Sequence, residues 1–237
     1  MALRFFPGRL LRFTPEFTAG WGPATAGAAT AGWVVWSRIL EAAGGAPGPG
    51  PQAAVRAWLF FTPVLLVVAV WARFHPRDRA LLVPSFRGAG RAALRGLRAY
   101  ACFLPFLIAL SVLPAGPAPA ARDFPGFDLL RLISGGQWPN VAAGLLAALV
   151  LGPLAEETVF RGIVYGGLRR SFPAPAAIVL SSLIFALMHP LGAATPAVFF
   201  LSMLLAAILE RTRTVTAPVL IHSLHNLVAI GYFLLAG

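Results

Sequence analysis

Apolar residues fall into seven long runs, at about residues 21–40, 54–71, 99–113, 140–168, 174–188, 195–209 and 215–236. Most approach the ~20 residues an α-helix needs to cross the ~30 Å hydrocarbon core of a bilayer. The breaks between them are polar or rich in proline and glycine. The pattern predicts an all-α, polytopic transmembrane helical bundle of about seven to eight spans, the eighth arising if residues 140–168 form two half-helices.

The breaks carry further information. Residues 1–16 are basic (Arg4, Arg9, Arg12) and read as an interfacial lead-in. No compact apolar core with a small-residue cleavage site follows, so the first run is expected to be an uncleaved span. That run is rich in Ala and Gly, which suits close helix packing. Residues 41–52 alternate Gly and Pro and are expected to be a non-helical linker. Arginines crowd residues 73–98, read as a loop before the third span, and residues 114–138 form a Pro-rich connection of mixed charge. Gly152-Pro153 should kink or break the fourth run, because proline removes a backbone donor and clashes with the preceding turn. There is no internal repeat and no soluble domain.

Composition agrees with a membrane protein. The 237 residues are 58% hydrophobic and only 11% charged, against about 25% charged in a soluble domain. The net charge of +11 does not point to nucleic acid. The arginines lie between apolar runs and form no face of their own. All 19 Lys/Arg residues are arginine, and the lone Cys102 excludes an internal disulfide. With the N-terminus cytoplasmic, the 73–98 arginines, Arg169-Arg170 and Arg211/Arg213 all fall inside. The expectation is a multi-pass protein of the cell (plasma or inner) membrane, with the bilayer as its surroundings.

One run departs from the apolar rule. Glu156 and Glu157 lie side by side within it, and Arg161 follows one turn later. The other acids, Glu16, Glu41, Asp78, Asp123, Asp128 and Glu210, lie in or beside polar or Pro/Gly-rich stretches. An ionisable group at membrane depth costs at least ~2.5–3.5 kcal/mol on insertion scales, so three together indicate a site. Glu157 and Arg161 are i,i+4 with the acid first, the favourable order for a helical ion pair. Glu156 points ~100° away round the helix, which suggests two roles for the two acids. Phe185/His189 and His222/Asn226 are also i,i+4, so each pair shares a helix face. His225 fits packing or a supporting role, His75 a basic loop, and Phe185 packing against the site.

Three motifs in this order, Glu-Glu-x-x-x-Arg (156–161), Phe-x-x-x-His (185–189) and His-x-x-x-Asn (222–226), resemble the CPBP family. That family takes in the type II CAAX prenyl endopeptidases and the bacteriocin-immunity-like Abi proteins. The resemblance covers roughly residues 140–230. It implies a CPBP-like catalytic helical core over 140–237, behind N-terminal transmembrane helices and their Arg-rich cytoplasmic loop over 1–139. It also implies an intramembrane endopeptidase acting on a membrane-associated peptide or protein, with Glu156 as the base for water. Glu157, clamped by Arg161, would orient the site. His189 and His222 would hold the water, and Asn226, with one of the histidines, would donate to the oxyanion. Two histidines and a glutamate could equally ligate a divalent metal such as Zn²⁺ with an open position.

No zincin helix, serine elbow or intramembrane aspartate is present. The rival readings are a non-enzymatic scaffold or immunity-type protein on the same fold, and a transporter with an intramembrane ion relay. The transporter lacks inverted repeats and paired broken helices. Depth poses a problem. On straight helices Glu156 lies ~20 Å from Arg169-Arg170 and His222 ~13 Å from Arg213, while His189 is nearly a full crossing away. Kinks, tilts or a different crossing must bring them together.

Overall fold

The computed structural model describes residues 19–44, 51–85, 89–112, 132–189, 192 and 194–236. The basic lead-in, most of the Gly/Pro linker and of the Pro-rich connection, and Arg87 lie outside the described residues. The described elements are helical, with no strand among them. They are α1 (Pro23–Gly44), α2 (Pro51–Phe74), a 3₁₀ turn (Pro76–Asp78), α3 (Arg79–Leu82), α4 (Ala89–Val112), α5 (Trp138–Arg169), α6 (Ala174–Leu187), α7 (Thr195–Thr212) and α8 (Thr216–Ala236). Each of the seven apolar runs is a helix. Four of the helical stretches, Ala57–Phe74, Ala89–Leu110, Trp138–Arg169 and Thr195–Thr212, are long and apolar enough to cross a membrane; Ala174–Leu187 is apolar but shorter.

Three expectations need correction. The helix before the third apolar run starts at Ala89, so Arg91, Arg95 and Arg98 belong to α4 and not to a loop. Ala, Leu and Arg are among the best helix formers, and their propensity holds where hydropathy falls. At the ends of the Gly/Pro linker, residues 41–44 continue α1 and 51–52 begin α2, where Pro51 can sit because a first-turn N–H has no helical partner. At Gly152-Pro153 the helix is not broken. Residues 147–151 open into wide π-helical turns, and the amide of Gly152 donates to the carbonyl of Ala147, five residues back. The wider register carries α5 through the proline without a break.

α5 is the centre of the molecule. Every residue from Glu157 to Leu168 is buried, so this segment is enclosed on all sides. It touches α1, α2, α3, α6, α7 and α8. The approach of α3 is so close that a Cβ on Gly162 would collide with the carbonyl of Leu81. A Cβ on Gly167 would come within 2.7 Å of the Gly22 carbonyl at the start of α1. Trp21, Leu82, Phe160, Val164, Phe185 and Leu209 build the main core around this segment, and a second core joins α4, α7 and α8 through Tyr100, Leu107, Leu205 and Ile221.

Candidate active site

Glu156 and Glu157 sit where α5 changes register. Residues 152–156 are α-helical, and residues 157–165 form a second, longer π-helical segment. π-Helical turns leave carbonyls displaced from their usual donors. Side chains from neighbouring elements fill two such positions along α5: the Trp21 indole donates to Ile163 O at 3.0 Å, and the Asn226 amide donates to Ala148 O at 2.8 Å.

The two acids occupy different surroundings. The Glu157 side chain is wholly enclosed, whereas that of Glu156 is 16% exposed. Glu157 Oε2 lies 3.1 Å from Arg161 Nε, an ion pair by distance but not an aligned hydrogen bond. The Arg161 guanidinium carbon lies 4.2 Å from the centre of the Phe185 ring, which supplies a cation–π contact where hydrogen-bond partners are lacking. The other oxygen of Glu157 accepts a hydrogen bond from His222 Nδ1 at 2.8 Å. Glu157 thus links Arg161 to His222. A carboxylate can only accept, so the proton of the imidazole is fixed on Nδ1. His222 Nε2 then faces Glu156 Oε2 at 3.8 Å, too long for a direct hydrogen bond.

His189 is held in the same way by backbone. Its Nδ1 lies 2.9 Å from the carbonyl of Phe185, so Nδ1 carries the proton and the neutral ring keeps a lone pair on Nε2. The His189 and His222 rings lie 4.5 and 6.2 Å from the one Phe185 ring, well inside two helix diameters of each other. α6 has fourteen residues and rises ~21 Å at 1.5 Å each, about the same as the ~20 Å from Arg169-Arg170 back to Glu156, so His189 and Glu156 reach a similar level.

All six sequence-derived residues are thereby located. Glu156, Glu157, Arg161, His189 and His222 gather around Phe185. Asn226 stands one turn beyond His222 on α8, tied to the first π-helical segment. His225 turns the other way and meets the Tyr100 hydroxyl at 3.1 Å. His75 is more than part of a basic loop: it stacks on Trp71 and meets Trp21 edge-on. Glu210, expected in a polar stretch, is buried. It accepts the Tyr165 hydroxyl at 2.7 Å and pairs with Arg169 at 3.4 Å, because Tyr165 and Arg169 both project towards it from α5. The i,i+4 spacing of Tyr165 and Arg169 was the available signal for this second buried charge.

Each histidine has its Nδ1 held, by Glu157 or by backbone, and its Nε2 left free, an arrangement that serves a metal-ligating imidazole as well as a water-holding one. Among the described residues no three His, Cys, Asp or Glu side chains converge as a metal site requires.

No curated protein and no solved structure matches the chain. Residues 138–228 match the model of the type II CAAX prenyl endopeptidase Rce1-like family, a span that begins at the first residue of α5 and ends just past Asn226. Over that span the chain carries an Rce1-like domain of the type II CAAX prenyl endopeptidase family, a family of intramembrane proteases.

Proposed function

We propose that the chain is an intramembrane endopeptidase that hydrolyses a peptide bond of a membrane-associated peptide or protein, in the manner of CAAX proteases. The observation that carries this reading is the pairing of partly exposed Glu156 with His222 Nε2 at 3.8 Å, His222 being locked from behind by Glu157. A water beside that pair donates one hydrogen to Glu156 and the other to the lone pair of His222 Nε2. Glu156 takes the proton as the water oxygen bonds to the scissile carbonyl carbon. His189 offers a lone pair at its own Nε2 as an alternative acceptor for the hydrogen that His222 Nε2 takes. The second amide hydrogen of Asn226, the first being spent on Ala148, stabilises the oxyanion. Glu156 then returns its proton to the leaving nitrogen as the C–N bond breaks.

Two features support the division of the acids. Glu156 is the acid with access to solvent or substrate, and Glu157 is the one with two fixed partners. The clusters of arginine support a cytoplasmic N-terminus. A prenylated C-terminal motif is the substrate suggested by the family's name, and the bilayer is where such a substrate resides. The test compares membrane peptides between cells carrying the wild-type chain and cells carrying Glu156→Gln. New membrane-protein C-termini that depend on Glu156 are expected. Identical peptide patterns would remove the proteolytic reading.

A further inference from the structure

A cavity of about 370 Å³ lies beside the α7–α8 turn, lined by Ala80, Ser85, Arg91, Ala92, Arg95, Thr212 and Thr214. Arg91 and Arg95 are one turn apart on α4, so both guanidinium groups serve one helix face. Two like charges at that spacing repel each other and call for a counter-ion. No carboxylate lines the cavity, and neither arginine has an ion-pair partner among the described residues.

The opposite wall is firmly built. The Ser85 amide donates to the Thr216 hydroxyl at 2.8 Å, that hydroxyl lies 3.2 Å from Ser85 O, and the Val215 amide donates to Ala80 O at 2.9 Å. Thr214 is held by Thr216 through a hydroxyl pair at 2.9 Å. The connector between α3 and α4 is therefore stitched to the α7–α8 turn, and the cavity has a fixed floor facing two arginines. Its level is set by the spans. Ala89–Leu110 begins and Thr195–Thr212 ends at this cavity, which places it at the boundary of the membrane.

We propose that this cavity binds the phosphate of an anionic phospholipid headgroup. Guanidinium forks match phosphate oxygens in pairs, and basic pockets between membrane helices take anionic headgroups. The cavity volume lies in the range of small-molecule sites and holds a headgroup with its phosphate. A lipid is the occupant because phosphodiesters are concentrated at the ends of membrane spans, where this cavity lies.

The test uses the full chain purified in a neutral detergent, with thermal unfolding as the readout, so it does not depend on proteolysis. The probes are phosphatidylglycerol, phosphatidylcholine and inorganic phosphate. Phosphatidylglycerol is expected to raise the unfolding temperature. Phosphatidylcholine, whose ammonium neutralises its own phosphate, is expected to leave it unchanged. Arg91→Gln and Arg95→Gln should each weaken the apparent affinity for phosphatidylglycerol about fivefold, and the double variant should lose the shift. Arg73→Gln, an exposed change on α2, should keep it. An undiminished shift in the double variant, an equal loss in Arg73→Gln, or no shift in the wild type would overturn the proposal. Inorganic phosphate matching phosphatidylglycerol would assign the cavity to free phosphate and overturn the lipid.

Discussion

Asn226 donates its side-chain amide to the carbonyl of Ala148 at 2.8 Å, across from α8 to α5. In the π-helical register of residues 147–151 that carbonyl would receive the amide of residue 153, and residue 153 is a proline. The side chain of one helix replaces the missing donor of another. Gly152-Pro153 and Asn226 are 70-odd residues apart in sequence and form one unit in space.

This unit predicts coupling. Asn226→Ala should destabilise the protein by about 1 kcal/mol, because a part-buried carbonyl loses its partner. In a Pro153→Ala background residue 153 regains an N–H, and the cost of Asn226→Ala should fall by about 1 kcal/mol. A double-mutant cycle of unfolding in detergent measures the difference. Equal costs in the two backgrounds would show that the proline and the asparagine are independent.

Arg161 and Glu156 should separate stability from activity. Arg161→Ala leaves Glu157 as an uncompensated buried charge, an effect of about 3–5 kcal/mol when one partner of a buried pair is removed. Membrane abundance and unfolding temperature should both drop. Glu156→Gln alters a partly exposed group outside that ion pair and should leave abundance near normal. Quantitative blotting of both variants checks this; equal losses would mean that the acids are not divided as described.

The contact between Glu157 and His222 predicts a catalytic effect at a distance from substrate. Glu157→Gln can hydrogen-bond His222 Nδ1 through either its carbonyl or its amide, so the tautomer of the ring is no longer fixed. Peptide cleavage should fall by about 10²-fold or more, with Glu156 still in place. Full activity in Glu157→Gln would show that the orientation of His222 is set elsewhere.

Much of this was legible in the sequence, and the rest was hidden for definable reasons. The Glu157–Arg161 pair could be read because i,i+4 contacts depend only on local helix geometry, and they persist in the wider turns. The seven helices could be read because hydropathy is a property of contiguous residues. The bond between Asn226 and Ala148 could not, since it depends on a register change that α-helical spacing does not anticipate. The meeting of His189 and His222 depends on how α6 and α8 pack around the Phe185 ring, which hydropathy does not specify. The burial of Glu210 was not legible because the residues that follow it are polar, while its neighbours in space, Tyr165 and Arg169, belong to α5.

Chelation provides a separate check on the chemistry. Glu156, His189 and His222 are proposed to hold a water, and among the described residues no group of three His, Cys, Asp or Glu is placed to hold a metal ion. Stripping the purified protein with a membrane-permeant chelator should leave cleavage unchanged. Loss of activity that stoichiometric zinc or cobalt restores would assign Glu156 and the histidines to a metal instead.

The most direct test is hydrolysis by the purified chain in vesicles, with membrane-embedded peptides as substrate, comparing wild type with Glu156→Gln. Glu156 is proposed to take the proton of the attacking water. The wild-type chain should therefore release new peptide carboxyl groups, while Glu156→Gln, folded to the same extent, should release none above background. Cleavage by Glu156→Gln at the wild-type rate would contradict the account.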